Sequence, residues 1–266
     1  MHTTLATLLD RLDSKAVEGT DVIRWGCPIP AFGDAAMSRV ATLGLNPSNR
    51  EFMDESGREL RGLFRRFHTL NSLGLGSWSE VNAHHLRVIL DSCYTYFRGN
   101  PYDAWFRRLD RVVSGARASY YDDAGGACHL DLIPYATRRK WTDLRAAQRS
   151  SLLAVAADSL GLMLRDSSIR VLILNGRSVV DHLEEVANIK LERRLKRIWS
   201  LRRESGLDVA GMAYEGVIDK AAGIDLGREV LILGYNHNLQ SSFGVTTQII
   251  QAIRSWVSRT AEGTSW

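Results

Sequence analysis

The sequence predicts an α/β fold, a three-layer α/β/α sandwich around a central, mostly parallel four-stranded sheet. Three observations predict it. Four short apolar runs are bounded by Gly, Pro, Asn or Asp, as fully buried strands are. Segments with apolar residues at i, i+3 and i+4 lie between and around those runs. Their alternation is the pattern of parallel strands joined by covering helices.

In chain order, MHTTLATLLDRLDS predicts an amphipathic helix over 2–13. Its Asp10 and Asp13 and its lack of a basic start set it apart from a secretory leader. Residues 39–45 (RVATLGL) form the first predicted strand, followed by helical spacing over 56–70, 79–98 and 101–115. Asn100 before Pro101 is a start signal for the last of these. Residues 127–133 (ACHLDLI) are the second predicted strand. A helix predicted over 141–165 has Thr142 and Asp143 at its start. The third strand is predicted at 169–174 (IRVLIL), with a broken helix over 176–204 and a peripheral strand or hairpin over 207–218. The fourth is predicted at 229–234 (EVLILG), before a final helix over 244–260. With 266 residues and no repeat or linker, one domain spanning 1–266 is expected.

No apolar run reaches the roughly 18 to 20 residues that span a bilayer, so a cytoplasmic protein is expected. Cys27, Cys93 and Cys128 are far apart with no CxxC, against a disulfide scaffold, a zinc site or an iron–sulfur cluster. Net charge is only +4, but basic residues cluster at Arg65-Arg66, Arg107-Arg108, Arg138-Arg139-Lys140, 193–197 and Arg202-Arg203. Such clusters suit a polyanion, although each alone also reads as a solvated face.

Ligand sites of parallel sheets lie beyond the carboxyl ends of the strands. Three predicted strand ends deliver Asn46, Asp131 and His237 to one rim. There is no phosphate-binding GxxxxGK[ST], no GxGxxG and no GxSxG. His68, His84 and His85 lack metal-ligand spacing. The predicted site is therefore an amide, a carboxylate and an imidazole, with no metal or cofactor.

Gly44-Leu45-Asn46-Pro47-Ser48, at the end of the first strand, is similar to the GINPG and GMNPG motifs of the uracil-DNA glycosylase superfamily. His237-Asn238-Leu239-Gln240-Ser241-Ser242, after the fourth, resembles that superfamily's HPSPLS and NPSGLS. The resemblance covers about residues 39–258, apart from 56–126, which do not align. It implies a uracil-DNA glycosylase-like fold and hydrolysis of the N-glycosidic bond of a base flipped out of DNA. Asn46 would place the attacking water. His237 would hydrogen-bond the base O2 as charge develops there. Phe52 would stack on the base, with Phe64 and Phe67 as competitors, and Ser48 would line its pocket. Leu239, Gln240 and Ser241 would fill the hole left by the flipped nucleotide. Arg138, Arg139 and Lys140 would hold phosphates; Pro28-Ile29-Pro30 reads equally as a further phosphate contact and as a structural turn.

Asp131 stands where uracil readers carry Asn. An ionised Asp only accepts, so it repels uracil O4 and suits the N4 amino group of cytosine. A protonated Asp131 would instead donate to O4, which keeps uracil open. Selectivity against ordinary cytosine calls for a C5 substituent, which points to an anti-phage glycosylase acting on hypermodified phage cytosine. With no Lys expected in the pocket, the enzyme is expected to leave an abasic site without cutting the strand, as a monomer on single- or double-stranded DNA. The alternatives are a uracil or mismatch glycosylase of base-excision repair, a non-catalytic nucleic-acid-binding module of the same fold, and an enzyme acting on a free nucleoside.

Overall fold

Four neighbouring strands of the sheet run parallel: β1 (Val40–Gly44), β2 (Ala127–Asp131), β3 (Val171–Asn175) and β6 (Ile224–Tyr235). They match the four apolar runs of the sequence. The computed structural model describes residues 1–99, 102–122, 126–202, 208–240 and 242–263. The sheet has six strands, not four, in the order β2-β1-β3-β6-β5-β4. β5 (Met212–Ala221) pairs antiparallel with β6, and β4 (Glu192–Leu195) pairs antiparallel with β5. The β5–β6 hairpin turns through Ala222 and Gly223, both at positive φ (48° and 79°), as a tight two-residue hairpin requires.

Strand alternation gives the sheet two apolar faces. Val40, Val171, Ile173, Leu233 and Tyr235 face one core, shared with α1 (His2–Asp13), α3 (Ala83–Tyr94), α4 (Asp103–Val113) and α8 (Thr247–Ala261). Ala41, Leu43, Leu172, Leu174 and Ile232 face the other, with α6 (Ser159–Arg165) and α7 (Arg177–Ala187). Helices therefore cover both faces of an open, mostly parallel sheet. No helix among the described residues is long and apolar enough to cross a membrane.

Three predicted elements differ. Residues 56–70 form no long helix. Only a 3-10 turn at Gly62–Phe64 and the first residue of α2 (Leu70–Leu73) are helical there. Gly57 and Gly62 both take positive φ (78° and 56°), and Asp54 draws the chain into a turn by accepting from the Ser56 and Arg58 amides. The predicted helix over 141–165 is a 3-10 turn at Trp141–Asp143, then α5 (Ala146–Val155) and α6. Thr142 and Asp143 thus lie within that turn rather than at the start of the helix. The helix over 176–204 stops at Ala187 because Asn188 is left-handed (φ 52°), and the basic stretch continues as edge strand β4. Asn100 and Pro101 lie outside the described residues.

Candidate active site

A cavity of about 680 Å³ opens at the carboxyl ends of β1, β2, β3 and β6. Parallel pairing sets this rim: Gly44 is level with Asp131, and Asn175 with Tyr235. The size falls within the 300–1,000 Å³ of small-molecule sites. Asn46 and Ser48 line it from the loop after β1, and His129 and Asp131 from β2. Asn175 ends β3, and Asn236 and Asn238 follow β6 onto the same wall. Phe32, Tyr102, Trp105 and Phe106 supply its aromatic side.

Asn46 is held in one orientation. Its Nδ2 donates to Pro47 O (3.1 Å) and to Thr137 Oγ1 (3.0 Å). Thr137 Oγ1 gives its own proton to Arg139 O (2.7 Å), so it must accept from Asn46. An amide turned this way offers an acceptor, Oδ1, on its other side.

Asp131 is buried, and His129 beside it ends a hydrogen-bonded chain through Thr42 to Tyr120. His129 Nε2 lies 3.5 Å from Asp131 Oδ1, and His129 Nδ1 lies 2.7 Å from Thr42 Oγ1. Thr42 Oγ1 is 2.5 Å from the Tyr120 hydroxyl. Burial pushes the Tyr120 phenol well above its ordinary range, so it stays a donor. The donor order that fits runs from Tyr120 to Thr42 to His129 Nδ1, leaving the His129 Nε2 proton toward Asp131. Gly44 makes room for this pair, because a Cβ there would collide with Asp131 Oδ1 and meet His129 Nε2 at 3.0 Å.

Glu51, which no sequence motif marks, is also on the wall and only 2 % exposed. Tyr96 donates its hydroxyl to Glu51 Oε1 at 2.8 Å, while Oε2 has no hydrogen-bond partner among the described residues. Burial raises the Glu51 carboxyl to about 7. The Tyr96 bond and the Arg66 charge oppose that rise, and the Asp131 charge adds to it.

Other expected residues lie elsewhere. His237 does not line the cavity; it is 2 % exposed, and its Nε2 bonds to Trp199 O at 2.7 Å. In the bend after β6, Asn236 and Asn238 line the cavity while His237 between them turns to Trp199 O. Burial lowers the His237 pKa, partly offset by the bond to Trp199. Phe52 is in the core, edge-on to Trp25 at 6.1 Å and beside Phe67, so it does not line the cavity either. Phe67 is in that core and Phe64 is 78 % exposed. Leu239 is fully buried. Gln240 is held by Asn175 Nδ2 (2.8 Å) and donates to Trp105 O (3.3 Å). Neither is placed to fill a gap in DNA, and Ser241 lies outside the described residues. Pro28 and Pro30 are buried, and Ile29 packs in the core.

Of the basic triplet, Arg139 and Lys140 reach the cavity wall, and Arg138 is exposed beside them. A lysine therefore does face the pocket, contrary to expectation. Arg139 is tied to Asp21 at 3.2 Å. On β4, Arg193 pairs with Glu184 and Arg194 with Glu192, each at 2.9 Å. Those arginines neutralise neighbouring acids before any phosphate.

Two signals could have found the missed residues. His129 shares a strand face with Asp131 by two-residue alternation, and Asn175-Gly176 ends a strand as Asn46 does. Nothing local marks Glu51, whose partners Tyr96 and Asp131 are remote in sequence. The sequence matches no protein-family model and no curated protein.

Proposed function

We propose that this protein is a DNA glycosylase that hydrolyses the N-glycosidic bond of a flipped-out base, with a C5-modified cytosine as its substrate. One observation carries the reading. Asn46 and Asp131, from separate strand ends, line one cavity of about 680 Å³ that has an aromatic side. Asp131 accepts from the cytosine N4 amino group. Asn46 Oδ1 accepts from the attacking water, and Tyr102 or Trp105 stacks on the base in the role expected of Phe52. A bare pyrimidine fills only part of such a volume, which favours a substituted one. Phe243, 81 % exposed and next to cavity-lining Ser242, is the wedge that replaces the flipped nucleotide. Lys140, Arg138 and Arg177 hold phosphates around the mouth. The product is an abasic site, and an enzyme that removes modified phage cytosine in this way serves antiviral defence.

The test is incubation with oligonucleotides carrying uracil, a thymine mispair, cytosine or C5-modified cytosines, followed by alkali. Alkali-labile sites are expected at C5-modified cytosine and not at plain cytosine. Borohydride is expected to trap no adduct on Lys140. Binding to the oligonucleotide is expected to weaken steeply with salt. If no substrate yields an alkali-labile site, the enzymatic reading is wrong.

A further inference from the structure

We propose that Glu51 is the catalytic base of this cavity, taking a proton from the water that attacks the anomeric carbon. The inference rests on the glycosidic-hydrolysis reading above and adds the residue that reading lacks. With its Nδ2 committed to Pro47 O and Thr137 Oγ1, cavity-lining Asn46 has an amide oxygen left to offer, which orients water but takes no proton from it. A proton acceptor is still needed, and Glu51 is on the same loop and the same wall. One of its oxygens is fixed by Tyr96; the other is buried without a partner among the described residues. A buried, unpaired carboxyl oxygen is costly for the fold, and such groups concentrate at functional sites.

The charged and titratable groups facing Glu51 are Tyr96, Arg66, Asp131 and Tyr102. Arg66 also approaches the Tyr102 ring, with its guanidinium carbon 5.9 Å from the ring centroid. Among these, burial holds the Glu51 carboxyl near 7, where a general base is effective at neutral pH. In the step, the water oxygen bonds to the anomeric carbon as the bond from that carbon to the base nitrogen breaks. The bonding pair leaves with the base. The water proton passes to Glu51 Oε2, and the departing base is protonated from solvent. Glu51 then returns its proton to solvent, so atoms and charge balance without a co-reactant.

The experiment is single-turnover base release from an oligonucleotide that the wild-type protein processes, followed from pH 5 to 9, with oligonucleotide affinity measured in parallel. For the wild type, the rate rises with pH through an inflection near 7, because only the carboxylate can accept the proton. Glu51→Gln keeps the size of the side chain and an acceptor for Tyr96. It is expected to lower the rate by about 100-fold or more, to keep affinity within about threefold, and to lose the inflection. Tyr96→Phe removes a bond that stabilises the carboxylate, so the inflection moves to higher pH. This arm decides the matter even if Glu51→Gln does not fold. A Glu51→Gln rate within about threefold of wild type, or an inflection unmoved in Tyr96→Phe, overturns the role of Glu51 and leaves the glycosylase reading standing. A wild-type protein that releases no base from any of the oligonucleotides overturns both.

Discussion

The Asp131 carboxylate occupies the space that a side chain at position 44 would take. Gly44 and Asp131 are paired across β1 and β2, and a Cβ on Gly44 would run into Asp131 Oδ1. The requirement for glycine here is one of room, since Gly44 is not among the glycines at positive φ. Gly44→Ala is expected to push the carboxylate away from His129 and abolish base release. The cost in stability should be about 1–3 kcal/mol from overpacking. Thermal melting and the alkali assay on the same preparation check the two effects separately.

Asp131→Asn tests the base assignment. An amide in place of the carboxylate both donates and accepts, so preference should move from the N4 amino group of cytosine toward the O4 of uracil. Competition between the two oligonucleotides in one reaction reads the ratio directly. An unchanged ratio would remove Asp131 from base recognition.

Trp105 lines the cavity and packs edge-on against Phe106 and His129, at 4.7 and 5.5 Å. Trp105→Ala should lower kcat/KM by a factor worth about 1–3 kcal/mol of transition-state stabilisation, the contribution of one stacked base. Affinity for an oligonucleotide with no excisable base should change much less. Equal losses on both would make Trp105 a general DNA contact.

His237→Ala separates the expectation from the sequence from the geometry. The imidazole bonds to Trp199 O and does not line the cavity. Leaving that carbonyl unpaired should lower stability by about 1–3 kcal/mol, with the rate per folded molecule changing little. The folded-state pKa lies below the ordinary 6.5, so protonation favours the unfolded chain. The wild type should therefore lose stability as pH falls below about 6.5, and His237→Ala should lack that component. Chemical denaturation at pH 5 and pH 8 measures it.

The parallel strands were legible because β1, β2, β3 and the closing residues of β6 (Ile232–Tyr235) are buried on both faces and read as continuous apolar runs. β4 was not: Glu192, Arg193, Arg194 and Leu195 are all exposed, with no apolar alternation to mark them. The helix predicted over 56–70 had Leu60, Leu63, Phe64 and Phe67 at suitable spacing. Two glycines at positive φ broke it, and Leu63 ended fully exposed. At the site, Asn46 and Asp131 were legible because a parallel sheet brings strand ends to one rim. His237 failed on parity, since the residues on either side of it took the cavity wall. Glu51 was hidden because its environment comes from Tyr96 and Asp131, brought near only by folding.

The hydroxyl chain behind Asp131 gives the pocket a remote adjustment. Tyr120 packs among Phe97, Phe106 and Tyr121, yet it is joined through Thr42 and His129 to the group proposed to read the substrate. Removing its one hydroxyl would leave the outline of the pocket intact and deprive Thr42 of a donor. If Asp131 reads the substrate as proposed, Tyr120→Phe is expected to retune selectivity from the interior, by a change outside the cavity lining.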